Sequence, residues 1–160
     1  MKICNIYIKG FQQFEDTFLD FTHPETGEPL NKICFIGRNG TGKSTIVKII
    51  NDILTNSKET SVPLIILKFR LHNSYFYALY SNILYKNTAS GFILKNSPIY
   101  YKEEVANIQN WIDLIQNPLD KVKIKNVIDS LKRYAYQGEE LNQLLEIIRL
   151  KDNSSDLLII

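Results

Sequence analysis

The sequence predicts an α/β domain built around one buried parallel strand, a glycine-rich turn and a packed helix. An antiparallel meander and a helical segment follow. Three features carry this expectation. Ile33-Cys34-Phe35-Ile36 is continuously apolar between Lys32 and Gly37, as expected of a strand buried on both faces in a parallel sheet. Gly37, Gly40 and Gly42 crowd the turn that follows. Beyond it, Ile46, Ile49, Ile50 and Ile53 recur at helical spacing. The chain has 160 residues, enough for one domain with a real core. Its 44% hydrophobic and 22% charged residues exclude intrinsic disorder as the main state. A net charge of +2 makes no strong claim for nucleic acid or an acidic membrane.

The elements follow in order. Residues 2–9 alternate, with Cys4, Ile6 and Ile8 on one side, and Gly10 interrupts the run. Residues 16–22 place Thr17, Leu19 and Phe21 on one face, so the two segments read as an antiparallel pair joined by a short polar bend. Pro24, Gly27 and Pro29 make residues 23–30 a loop. Residues 33–36 form the buried strand and residues 43–54 the helix. Residues 55–63 are polar and expected to be exposed. Residues 63–94 read as three or four short antiparallel strands with a tight turn at Ser81-Asn82. After Tyr100 the chain reads as helical. One stripe holds Val105, Ile108, Ile112 and Ile115. A second holds Val127, Ile128, Leu131, Tyr134 and Ala135, and a third Leu141, Leu144, Leu145 and Ile148. Pro118 and Gly138 separate them. Leu157 to Ile160 starts a further strand. The expected organisation is a lobe over residues 1–100, a helical segment over 101–155 and the start of a strand over 156–160.

No apolar run approaches the roughly 20 residues that a spanning helix needs, and Leu64-Ile65-Ile66-Leu67 is among the longest wholly aliphatic ones. Asn5 and Lys9 break any signal-peptide pattern at the N-terminus. Cys4 and Cys34 sit in apolar runs with no second pair to complete a metal site. Both are expected in the core of a protein of the reducing cytoplasm, with a disulfide as the alternative.

Residues 37–44 match G-x-x-x-x-G-K-[ST], with a strand before and an amphipathic helix after. The glycines let the backbone curl so that successive N–H groups face inward as an anion nest. The helix start adds its positive dipole end. Gly37, Asn39, Gly40, Thr41 and Gly42 are the expected cradle. Lys43 is expected between the outer phosphates, Ser44 on a magnesium ion that bridges phosphate oxygens, and Thr45 near the inner phosphates. A plain strand–turn–helix junction is the alternative. The Asn39-Gly40 pair is a hairpin signal, but a helix follows it instead of a second strand.

This stretch resembles the P-loop NTPases. With its lead-in it resembles, more narrowly, the N-terminal part of ABC-type ATPase heads of the RecF, SMC and OLD kind. Lys9-Gly10-Phe11, Asp20-Phe21 and the Asn39-Gly40 centre of the loop carry that likeness over residues 1–54. The resemblance implies an ABC-type head lobe, ATP with Mg2+, a homodimer or a second ATPase subunit, and a role in DNA repair, chromosome maintenance or anti-phage defence. It also implies an apolar strand ending in Asp-Glu and a Ser-Gly-Gly-type signature, and neither is visible. Asp113 and Asp129 fall within helical stripes, Asp156 precedes an apolar run, and no Ser-Gly-Gly occurs. Gln109 and Gln116, the candidates for a magnesium-sensing glutamine, are expected to face solvent. The expectation is therefore an incomplete domain that binds ATP and, alone, hydrolyses it very slowly. An ATP-responsive binding module that does not hydrolyse, and a small nucleotide kinase, are the rival readings. The kinase fits poorly, because about thirty residues precede the loop strand.

Other features read as structural. Lys121, Lys123, Lys125, Lys132 and Arg133 are expected on a solvated helix face, with DNA contact as the alternative. Tyr75, Tyr77, Tyr80 and Tyr85 are expected to pack a half-buried sheet instead of stacking bases. His23 and His72 read as surface residues and Trp111 as part of its helix stripe. The resemblance implies that Phe11, Gln12 and Gln13 approach the adenine.

Overall fold

The structure, a computed structural model, describes residues 1–11, 13–55, 64–82, 98–105, 108–116, 120–150 and 156–159. Strand β1 (Lys2–Phe11) pairs antiparallel with β2 (Phe14–Asp20) and with β4 (Leu64–Leu71). Strands β5 (Ser74–Tyr80) and β6 (Ile99–Lys102) extend the sheet, giving the order β2-β1-β4-β5-β6 with every neighbour antiparallel. A separate two-stranded sheet joins β3 (Lys32–Phe35) to β7 (Asp156–Ile159) in parallel.

The register of the large sheet sorts its side chains onto two faces. Ile6 faces Leu67, Leu67 faces Ala78 and Ala78 faces Tyr100. These residues share a core with Ile46, Ile49, Ile50 and Ile53 of α1 (Lys43–Leu54) and with Leu144, Leu145 and Ile148 of α4 (Gly138–Leu150). On the opposite face Tyr7, Ile66 and Leu79 are in line, as are Tyr77 and Tyr101. That face packs against α2 (Ile108–Gln116) and α3 (Lys121–Tyr134) through Trp111, Ile124, Val127 and Leu131. The sheet is thus the middle layer, with α1, α4 and β3 on one side and α2 and α3 on the other.

Local chemistry sets the helix ends. The Asp120 carboxylate accepts from the N–H groups of Val122 and Lys123 at 3.0 and 3.1 Å, an N-cap worth about 1 kcal/mol. Gly138 opens α4 with a φ of +55°, a conformation that glycine adopts without a Cβ penalty. Trp111, only 1% exposed, stands edge-on to Tyr77 at 6.2 Å and tilted against Tyr101 at 5.2 Å. Its stripe position and the packing role of Tyr77 and Tyr80 agree with the sequence. His23 and His72 are exposed, also as expected. Tyr85 lies outside the described residues.

Several expectations are corrected. The strand at residues 32–35 is parallel but not buried on both faces. Ile33 is buried, whereas Cys34 is exposed and Ile36 is 77% exposed, because the core covers only the inner face of β3. Cys34 is therefore not a core residue, although Cys4 is; both thiols are free. The described turn of the meander is at His72-Asn73, with His72 at a φ of +54°, while Ser81 is buried. The expected segments 83–85 and 92–94 lie outside the described residues. Residues 99–102 form β6 instead of entering a helix, and Glu103–Val105 is a 3-10 turn that precedes α2. Tyr100 and Tyr101 are both buried, on opposite faces of β6, so the strand shows no apolar–polar alternation. Tyr134 is 44% exposed, with the Arg133 guanidinium over its ring, and does not join the α3 stripe.

Candidate functional site

Strand β3 delivers the chain into residues 36–42, an exposed loop that ends on α1. Gly40 and Gly42 hold φ values of +81° and +94°. These left-handed positions turn the loop back over the helix start, at a cost that only glycine avoids. The Thr41 hydroxyl donates to the Arg38 carbonyl at 2.8 Å and tightens the bend. The Lys43 ammonium donates to the carbonyls of Gly37 and Arg38, the latter at 2.9 Å. One cation thus sits across the mouth of the loop, held by the backbone that encloses it.

The start of α1 is bare. Gly42 is its N-cap, no side chain caps it, and no acidic residue lies in its first turn. The helix ladder begins with the Ile46 N–H to the Gly42 carbonyl at 3.0 Å. The unpaired N–H groups of a first turn and the positive end of the helix dipole together favour an anion. Ser44 is exposed and Thr45 partly exposed at this end. The structure therefore brings Gly37, Asn39, Gly40, Thr41, Gly42, Lys43, Ser44 and Thr45 together on one loop and helix start.

The β1–β2 hairpin reaches the same place. A Cβ on Gly42 would lie 2.3 Å from the Gln13 carboxamide nitrogen and 2.5 Å from the ring tip of Phe14. Gln13 therefore lies against the loop–helix junction, whereas Phe11 packs against the core and Gln12 is outside the described residues. The hairpin is pinned by the Lys9–Asp16 ion pair at 3.4 Å. The Tyr7 hydroxyl bonds to Asp16 and is the main cause that holds this carboxyl below its ordinary pKa, with Lys9 adding to it. Phe14 was not legible as a neighbour of the loop. The signal was its place one turn beyond Gly10-Phe11 in a hairpin whose far end had no assigned contact.

The other candidates lie elsewhere. Asp113 and Asp129 belong to α2 and α3, across the sheet from the loop, and Asp113 pairs with Lys123 at 3.5 Å. Asp156 is opposite Lys32, at the end of β3 away from the loop. Gln109 is exposed and donates to Asp113 at 2.7 Å, as its solvent-facing expectation requires; the Gln116 side chain is outside the described residues. Lys121, Lys125, Lys132 and Arg133 are exposed on α3, on the layer opposite the loop. Among the described residues no group of three or more His, Cys, Asp or Glu is placed to hold a metal, and no helix is long and apolar enough to cross a membrane.

Two comparisons with known proteins bear on this geometry. The family model described as an AAA ATPase domain matches residues 1–156. Among curated proteins none matches the chain at a significant level.

Proposed function

The chain belongs to the AAA ATPase domain family, and from that premise we propose that it binds ATP with Mg2+ on the loop formed by residues 37–44. The bare start of α1, with the Lys43 ammonium poised over it, carries this reading. On binding, Lys43 exchanges the carbonyls of Gly37 and Arg38 for oxygens of the outer phosphates. The N–H groups of the loop and the first turn take the remaining oxygens. Ser44 offers its hydroxyl to the magnesium ion, Thr45 lies towards the inner phosphates, and Gln13 contacts the nucleotide from the hairpin side.

The narrower assignment is to a RecF, SMC or OLD-like head. It is supported by the lead-in: Lys9-Gly10-Phe11 closes β1, and Asp20-Phe21 lies at the end of the returning strand of the hairpin whose tip brings Gln13 to the loop. A head of this kind acts in DNA repair, chromosome maintenance or anti-phage defence, paired with a second copy or a second ATPase subunit. DNA contact through Lys121 and Lys125 of α3 belongs to the same reading. It would appear as binding whose salt dependence becomes shallower when both are replaced.

Hydrolysis needs a group that orients water and stabilises the developing charge, besides a cradle for phosphates. Among the described residues Asp113, Asp129 and Asp156 all stand away from the loop, which supports the reading that this chain alone holds ATP and turns it over very slowly. Strand β7 lies beside β3, and its register puts Ile159 next to Phe35, the last residue of β3 before the loop.

The test is equilibrium binding of Mg-ATP together with a turnover assay on the same preparation. Wild type should bind. Lys43→Ala should weaken binding by at least about tenfold, the equivalent of roughly 1.4 kcal/mol, while its circular dichroism stays unchanged. Equal binding by the folded variant overturns the site. Vigorous turnover that Lys43→Ala abolishes overturns the slow-hydrolysis statement.

A further inference from the structure

Tyr100 is fully buried, yet both of its polar ends leave the sheet. Its hydroxyl donates to the Ile53 carbonyl in the last turn of α1. Its backbone carbonyl accepts the Tyr136 N–H at 3.0 Å, on the connection between α3 and α4. A second link runs parallel through the rings. Tyr100 stands edge-on to Phe69 at 6.5 Å, Phe69 stacks on Phe76 at 5.6 Å, and Phe76 is tilted against Tyr136 at 6.0 Å. Tyr136 is two residues before Gly138, where α4 begins at the surface with left-handed φ and open space around its Cα.

These contacts join the last turn of α1 to the lead into α4. The helix α1 has 12 residues and is about 18 Å long at 1.5 Å per residue, with the loop at its start and Tyr100 at its end. Its buried isoleucines share one packed core with α4, so a displacement at the loop end moves a rigid rod. The last carbonyls of a helix lack intrahelical partners. The Ile53 carbonyl, which the Thr55 N–H also reaches, accepts from a residue in another layer, and that residue holds the lead into α4.

We propose that Tyr100 is a positioning residue that couples occupancy of the loop to the exposed start of α4. The inference rests on the reading that the loop holds ATP. Phosphates drawn onto the start of α1 shift its last turn, Tyr100 follows the Ile53 carbonyl, and Tyr136 carries the shift to Gly138. The start of α4 thereby differs in conformation between the loaded and empty states. No direct contact between nucleotide and α4 is required.

Amide hydrogen exchange on the full chain, with and without Mg-ATP, tests this. In wild type, ATP should slow exchange both in the loop and in residues 136–142. Tyr100→Phe keeps the ring and removes the bond to Ile53. It should bind ATP within about threefold of wild type, protect the loop as before, and lose the protection at 136–142. Unchanged protection at 136–142 in the variant overturns the coupling, and so does a wild type that protects the loop alone. A wild type that protects neither region defeats the ATP-binding reading and the coupling with it, a pattern distinct from the other two. Should Tyr100→Phe fail to fold, Tyr136→Pro removes both the N–H that the Tyr100 carbonyl accepts and the ring that meets Phe76, breaking the link on the α4 side, and the same outcomes decide.

Discussion

Replacing Gly42 by alanine separates the two demands that the loop makes on this position. The first is conformational. At a φ of +94° an L-residue is strained by about 1–2 kcal/mol. The second is steric. The new Cβ would meet the Gln13 carboxamide at 2.3 Å and the Phe14 ring tip at 2.5 Å. Gln13 is exposed and swings away at little cost. Phe14 is only 9% exposed and packs in the core beside α1, so its displacement is overpacking, about 1–3 kcal/mol. The sum is about 2–5 kcal/mol, a large part of the roughly 5–15 kcal/mol that stabilises a domain. At about 2–4 °C per kcal/mol, Tm should fall by roughly 4–20 °C. Gly40 supplies the control. Its φ of +81° imposes the same strain, but a Cβ there meets nothing within 4 Å. Thermal unfolding of both variants by circular dichroism should place Gly42→Ala below Gly40→Ala by at least about 1 kcal/mol, the part due to Phe14. Equal melting temperatures would refute the contact between the hairpin and the loop.

Other predictions follow from the same structure. Burial pushes the Cys4 thiol up to about 11, whereas Cys34 is exposed. Iodoacetamide at neutral pH should therefore label Cys34 alone in the folded protein and both thiols after denaturation, and rapid native labelling of Cys4 would contradict the core assignment. Burial raises Tyr100 and Tyr101 as well as Tyr7, the last to about 12 with help from the Asp16 carboxylate. Folded-state values above the unfolded one of about 10 mean stability that is complete below that pH and lost as pH rises towards about 12. Urea midpoints measured across that range should fall, and a flat profile would count against buried tyrosines. Leu131→Ala removes a side chain with no exposure from the α3 face and should cost about 2–5 kcal/mol, while Val122→Ala, 69% exposed on the same helix, should stay within about 0.5 kcal/mol.

What was legible in the sequence follows from how each element is stabilised. The helix at residues 43–54 has its boundaries where the sequence placed them, because a one-sided isoleucine stripe has only one packing solution. The β1–β2 pair was visible in its alternation. Strand β6 was not, because Tyr100 and Tyr101 bury opposite faces and erase the period that marks a half-covered strand. The apolar run at 33–36 suggested burial on both sides, but hydrophobicity says only that cover is favourable, not that it is present. The residues of the candidate site came from one contiguous motif and lie on one loop. The approach of Phe14 and the bond from Tyr100 to Ile53 are long-range contacts that no local spacing encodes.

The central claim is that the loop recognises the phosphates of a nucleotide. Its most direct test is a competition series of ATP, ADP, AMP and adenosine against a fluorescent ATP analogue on the full chain in magnesium. The account requires affinity to follow the phosphate tail, with ATP and ADP at least about tenfold tighter than AMP and adenosine barely competing. Adenosine competing as well as ATP, or all four failing to displace the analogue, would contradict it.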